Sequence, residues 1–466
     1  MMLPEAFTAR VLRDLGAEEG AALCAALESE APTSVRLNPA KIPGGPAGEF
    51  PCGELPNLQP ERRVSWCREG WYLTERPSFT FDPDFHAGAY YVQEASSQFV
   101  EHLLEGALPP GARLLDLCAA PGGKTTLYAS LVGPEGLVVA NEIDRRRASV
   151  LADNVRKWGT GNVAVTCCEA GALGDFEAWF DVVAVDAPCS GEGMFRKDTA
   201  ARGEWSEANV RLCAARQDGI LREAWRALKP GGTLVYSTCT FNRDEDEGSL
   251  ERLLAWAEAE VEETAPVDVE ASWGVVCGRV GAFRTFRFYP HRACGEGFFA
   301  AVARKSADAG GRMRTPKPRR ALFAPVDRKT AAELSRWLRE PQRMHFAAVG
   351  ETYYAWYETQ SEAVRTLSEV LPVICSGVAM GQLFKGVLKP DPALAFCPEL
   401  NRAAVPMAEL DEAEALRYLR RQEIAAAGLA EGMNLVGVRG RGLGFAKRIG
   451  GRVNNLYPHS LRIMKQ

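Results

Sequence analysis

The sequence predicts an α/β fold: a parallel sheet covered by helices, with a small α+β unit before it and a β-rich unit after it. Three observations predict it. Short, mainly apolar runs alternate with amphipathic stretches between residues 113 and 238, the pattern of buried parallel strands joined by crossover helices. A Gly122-Gly123 turn follows the first of those runs. A basic stretch with two prolines, 311–320 (GRMRTPKPRR), then separates this region from one ending in a basic tail. At ~150 residues per domain, 466 residues suggest about three domains.

Taken in order, residues 1–75 read as one or two helices and a mixed unit containing SVRLNP (34–39) and WCREGWYL (66–73). Strands are expected at RLLDL (113–117), LVVAN (137–141), VAVTC (163–167), DVVAVD (181–186) and TLVYST (233–238). The clearest helix is 209–228, where Val210, Cys213, Ile220, Leu221, Trp225 and Leu228 fall largely on one face. FRTFRFYP (283–290) and GFFAAVARK (297–305) read as two further strands. After the linker, AAELSRWLREP is helical, YYAWYE (353–358) is strand-like, and GVAMGQLFKG begins a compact β-rich module. The expected division is 1–75, 76–305, a linker at 306–320, an intermediate domain at 321–375 and a terminal module at 376–466.

Composition excludes several classes. With 46% hydrophobic and 25% charged residues the chain is not disordered, collagen-like or a coiled coil as a whole. No run approaches the ~18 apolar residues of a membrane span. Acids in MMLPEAFTARVLRDLGAEEG argue against a signal peptide, so a cytoplasmic protein with reduced thiols is expected. Its 13 cysteines include no C-x-x-C, and Cys277, His291 and Cys294 are too loosely spaced to predict a metal. Residues 431–466 set Arg439, Arg441, Lys447, Arg448, Arg452, Arg462 and Lys465 against one acid, Glu431, a charge of +6 in a chain whose net is −5. Such a tail suits a phosphate-bearing partner; a solvated face is the plainer reading.

Four motifs point to chemistry. DLCAAPGGKTT (116–126) invites comparison with G-x-x-x-x-G-K-[ST], but Cys118 occupies the first glycine position, and G-x-G-x-x-G is absent. What remains is a glycine turn opening a helix, whose free N–H groups attract a carboxylate or phosphate. Glu142, ending the second strand, stands where an acid binds a ribose diol. Glu169, past the third strand, could accept from an adenine amino group. DAPCSGEGMFRKD (186–198) and STCTFNRDEDE (237–247) then bring Asp186, Cys189 and Cys239 to neighbouring strand ends, where open α/β sheets hold ligands. Buried cysteine is usually a small apolar residue, the reading that fits the other eleven. Two thiols together on the ligand side are hard to explain as packing.

The set DLCAAPGGKT, NEID, DAPCSGEGMFRKD and YSTCTFNRDEDE resembles the Sun/Nop family of RNA cytosine-5 methyltransferases, with YYVQEASSQ (90–98) similar to the segment preceding their catalytic domain. The resemblance covers roughly 34–305. The terminal GVRGRGLGFAKRIGGRVNN is similar to the bacterial branch that modifies small-subunit ribosomal RNA, methyltransferase F. It implies a Rossmann-like class I methyltransferase domain, a small N-terminal RNA-contacting α+β domain and a PUA-like RNA-binding module. By resemblance, Cys118, Ala119, Ala120, Pro121, Gly122, Gly123 and Lys124 line the methionine end of S-adenosylmethionine. Glu142 holds its ribose, and Glu169, where many relatives have Asp, faces its adenine. Asp186 lies near cofactor and target base; Cys239 matches the nucleophile and Cys189 the cysteine that aids release. Lys197, Arg439, Arg441, Lys447, Arg448 and Arg452 are the expected RNA contacts.

The chemistry needs these types. Cytosine C5 is a poor nucleophile until a thiolate adds at C6, so Cys239 needs a pKa below the ~8.5 of a free thiol, with Lys197 or a helix N-terminus as candidate aids. The target must be unpaired or flipped. Ribosomal RNA or the small subunit is the expected partner, with no membrane and no metal, and the protein acting as a monomer. Open alternatives are exchanged cysteine roles, a tRNA substrate, or a non-catalytic RNA-binding assembly factor.

Overall fold

The computed structural model describes residues 2–42, 49–319 and 321–465; Arg320, which closes the expected linker, lies outside the described residues. Helices α1 (Glu5–Leu15) and α2 (Ala17–Leu27) precede a four-stranded sheet of β1 (Thr33–Leu37), β2 (Pro60–Arg63), β3 (Gly70–Leu73) and β4 (Tyr90–Val92), ordered β2-β3-β1-β4. The boundary expected at 75 is corrected here, because β4 pairs with β1, Val92 opposite Val35. Nor do the first helices stay with that sheet. Phe7 of α1 packs edge-on against Phe195 and Trp205, 5.0 and 5.8 Å between ring centres, on the segment that follows Cys189.

The central sheet has β5 (Arg113–Asp116), β6 (Leu137–Asn141), β7 (Val163–Thr166), β8 (Phe180–Asp186) and β9 (Leu228–Thr238), parallel and ordered β9-β8-β5-β6-β7. Every residue of β6 and β7 is buried, which is why these strands read as unbroken apolar runs. Crossovers include α3 (Gly123–Val132), α4 (Arg145–Trp158) and α5 (Glu207–Ala227). Helix α4 turns Ala148, Leu151, Ala152, Val155 and Trp158 inward; Asp144 caps its start by accepting from Arg147 N–H, and Gly159 (φ 86°) ends it. Beyond β9, β10 (Val261–Glu262), β11 (Val276–Val280), β12 (Phe283–Phe288) and β13 (Phe298–Lys305) extend the sheet antiparallel, β12 and β13 where two strands were expected.

The C-terminal half divides differently from expectation. Strands β14 (Ala324–Pro325), β15 (Met344–Val349), β16 (Thr352–Tyr357), β18 (Val378–Phe384) and β19 (Val387–Pro390) form one sheet, while β17 (Val373–Ser376) leaves it to pair with β7. A boundary at 376 therefore cuts a sheet in two. The last sheet starts later, with β20 (Met407–Glu409), β21 (Gly432–Val438), β22 (Arg441–Ile449) and β23 (Arg452–Asn455). Apolar alternation identifies strands without saying which sheet each joins.

Polar groups join the three parts. Lys41 Nζ, beyond β1, donates to Ala87 O and to Lys157 O at the end of α4, 2.7 and 2.6 Å away, while Asn38 Nδ2 donates to Trp158 O at 2.9 Å. These donors satisfy carbonyls that a helix end leaves free. Arg439 and Arg441 reach back to Asp84, and Arg441 also to Glu54. No helix among the described residues is long and apolar enough to cross a membrane.

Candidate active site

Sheet register places the site. Asp116 of β5 stands opposite Ala184 of β8, and Asp186 of β8 opposite Ser237 of β9, so the ends of three parallel strands meet where the strand order reverses. After β5 the chain runs through Cys118 and Pro121 to Gly122, whose φ of 111° suits glycine. There α3 begins. The loop is held from the side: Ala119 N–H donates to Asn141 O at 2.8 Å, and Arg147 NH2 to Ala120 O at 3.0 Å.

Asp186 gathers two partners. Lys124 Nζ lies 2.9 Å from its Oδ2, and Ser237 Oγ donates to its Oδ1 at 2.8 Å. Burial works against the Lys124 ammonium, but Asp186, helped by Asp116 and Cys239, outweighs it and keeps the lysine charged. Asp116 accepts from Thr125 Oγ1 at 2.6 Å, while its Oδ1 is buried without a partner. Burial pushes this carboxyl up to about 7.

The two cysteine loops converge just beyond. Cys189 and Cys239 Sγ are 3.2 Å apart. The hydrogen bond to Cys239 and burial push the Cys189 thiol well up, so Cys189 holds its proton. Glu192 binds the loops to one another. It accepts from Thr240 Oγ1 (2.6 Å), Phe241 N–H (2.8 Å), Trp205 Nε1 (3.0 Å) and Asn242 Nδ2 (3.1 Å). Glu245 accepts from Ser190 N–H at 2.9 Å and Gln217 Nε2 at 3.0 Å, and Gly193 N–H donates to Cys239 O at 2.8 Å. Glu192, Glu245 and Gln217 were missed in sequence; the first two stand inside the quoted motifs, but only the fold shows carboxylates facing another loop's donors.

Other expected residues fall in several places. Glu142 is 3% exposed at the end of β6, accepting from Asp144 N–H and paired with Arg147 at 3.2 Å. Glu169 is exposed at the start of a short helical turn. Lys197 faces Glu296 at 3.8 Å, which Arg196 also binds. Arg441 is 5% exposed and occupied by Asp84 and Glu54; Arg439 serves Asp84 and Glu412. As RNA contacts both are corrected: they are internal cross-links. Arg448 donates to Leu429 O and Gly450 O, leaving Lys447 and Arg452 exposed on the β22–β23 hairpin.

The residues present suit S-adenosylmethionine. Asp116 Oδ1 is an unsatisfied acceptor near a loop whose first helical turn offers N–H donors, and a buried acid ends β6 where a ribose would lie.

Residues 106–304 match a family described as 16S rRNA methyltransferase RsmB/F, residues 3–95 the N-terminal domain of 16S rRNA methyltransferase RsmF, and residues 406–463 the methyltransferase RsmF PUA domain. Among curated relatives, the ribosomal RNA small subunit methyltransferase F of Shewanella loihica is 31% identical over 429 residues, spanning 85% of this chain and 83% of the relative. That of Erwinia tasmaniensis is 32% identical over 422 residues, spanning 85% and 84%. A methyltransferase homolog protein from Pyrococcus horikoshii superposes with TM-score 0.54 at 29% identity, over 65% of this chain and 95% of its own. NSun6 from the same organism, solved with SFG, shares the fold at 22% identity with TM-score 0.54, over 66% and 99%.

Proposed function

The chain belongs to the ribosomal RNA small subunit methyltransferase F family of S-adenosylmethionine-dependent enzymes, and on that premise we propose that it methylates C5 of a cytosine in 16S rRNA through a covalent bond between Cys239 and C6. The observation that carries this reading is the pair of sulfurs 3.2 Å apart beside the Lys124–Asp186 pair. A cytoplasmic site of action follows from the substrate.

S-adenosylmethionine supplies the electrophilic methyl group when bound. Residues 118–124 would line its methionine end, Glu142 would hold its ribose and Glu169 its adenine. The Cys239 thiolate adds to C6 and moves an electron pair toward C5. Asp186 accepts from the exocyclic amino group of the base. After C5 takes the methyl group, its proton leaves to a base, the S–C6 bond breaks and the thiolate returns. Cys189, protonated and beside the departing sulfur, hydrogen-bonds it and so aids release. Lys447, Arg448 and Arg452 bind RNA phosphate outside the site.

The test is to incubate the protein with 16S rRNA and methyl-labelled S-adenosylmethionine and to map 5-methylcytosine by bisulfite sequencing. New 5-methylcytosine that disappears in Cys239→Ala supports the proposal. Label in tRNA alone, or in no RNA, overturns it.

A further inference from the structure

Three cations border the cofactor loop, and two are already matched. Lys124 spends its charge on Asp186 at 2.9 Å, and Arg147 on Glu142 at 3.2 Å. The third, Arg36, comes from β1 of the N-terminal sheet and is 2% exposed. No carboxylate among the described residues lies within ion-pair distance of it; Glu101 and Glu69 act on it only from farther off. Its partners are neutral: Nε donates to Gln93 Oε1 at 2.8 Å, and NH2 to Gly123 O at 3.1 Å and Thr126 Oγ1 at 2.5 Å. The guanidinium lies over the Trp158 ring, 4.6 Å from its centre. Burial lowers its pKa to about 10, which leaves it charged at neutral pH. A buried charge without a directly paired counter-charge is costly, and proteins seldom keep one. This one is held against the first turn of α3, where backbone N–H groups and the helix dipole already favour an anion.

We propose that Arg36 is a positioning residue for the cofactor: it fixes the first turn of α3 and supplies the positive charge that the α-carboxylate of S-adenosylmethionine balances. The N-terminal unit is then part of the cofactor site as well as a neighbour of it. This inference rests on the reading that residues 118–124 line the methionine end.

Calorimetric titration of the full chain tests it with two ligands. S-adenosylhomocysteine carries the carboxylate; 5′-methylthioadenosine keeps adenine, ribose and sulfur and lacks the amino-acid end. In Arg36→Met, S-adenosylhomocysteine should bind about 10- to 100-fold more weakly, as expected for losing a partly desolvated charge, with 5′-methylthioadenosine within about twofold of wild type. Arg36→Lys should recover most of the loss. Equal weakening of both ligands, or of neither, overturns the proposal. Should Arg36→Met not fold, the methyl ester of S-adenosylhomocysteine replaces the variant. Wild type should discriminate against the ester more strongly than the charge-neutral Arg36→Gln, and equal discrimination overturns the proposal. Wild type that binds neither nucleoside overturns instead the cofactor reading on which it stands.

Discussion

Asp116 shows how one buried atom sets a measurable pH dependence. In the unfolded chain its carboxyl ionises near the ordinary value of 3.8, while burial in the fold raises this to about 7. Between those values the folded state binds more protons, so stability falls as pH rises through the window and levels off above it, with a slope of up to about 1.4 kcal/mol per pH unit. Asp116→Asn stays neutral throughout. Denaturation of the ligand-free protein at pH 4, 5.5 and 7 should show the variant gaining on wild type across that window; parallel curves would contradict the assignment. At the same scale, motif residues were legible in sequence because their types are set by chemistry. The role of Lys124 was not, since a lysine after Gly-Gly reads equally as a phosphate ligand. Only the register of β8 against β5 brings Asp186 to it.

Among the elements, the two cysteine loops matter most, and Glu192 decides their spacing. Glu192→Ala would strand Phe241 N–H and Trp205 Nε1, while Asn242 Nδ2 keeps Glu245, and unsatisfied buried donors cost about 1–3 kcal/mol each before relaxation. A loss of at least about 2 kcal/mol in urea titration is expected, with turnover falling further than stability alone explains. Glu192→Gln should retain part of both. Unchanged turnover in Glu192→Ala would mean that the sulfurs keep their separation without it. The parallel strands themselves were legible because burial on both faces leaves no polar alternation. Strand β17 was not, because VICS resembles any short strand, and its place on the edge of β7 depends on a distant partner.

Across the whole molecule, charge does two jobs that the sequence cannot separate. Arg439, Arg441, Lys447 and Arg452 look alike in a basic tail, yet the first two tie the last sheet to Asp84 and Glu54, while the others face outward. Arg441→Ala would leave Asp84 short of a buried partner, at a cost of about 3–5 kcal/mol seen as a lower Tm, with little change in the salt dependence of RNA binding. Lys447→Ala with Arg452→Ala should do the reverse: stability within about 0.5 kcal/mol of wild type, and a slope of log affinity against log salt reduced by about 2. Opposite results would return Arg441 to the RNA surface.

The most direct measurement of the central claim is the fate of the covalent bond. Wild type, Cys189→Ala and Cys239→Ala would be incubated with 16S rRNA and S-adenosylmethionine and resolved on a denaturing gel. The account predicts a protein–RNA adduct that accumulates in Cys189→Ala, is faint in wild type and is absent in Cys239→Ala. An adduct that persists in Cys239→Ala and is lost in Cys189→Ala would contradict it and exchange the roles of the two sulfurs.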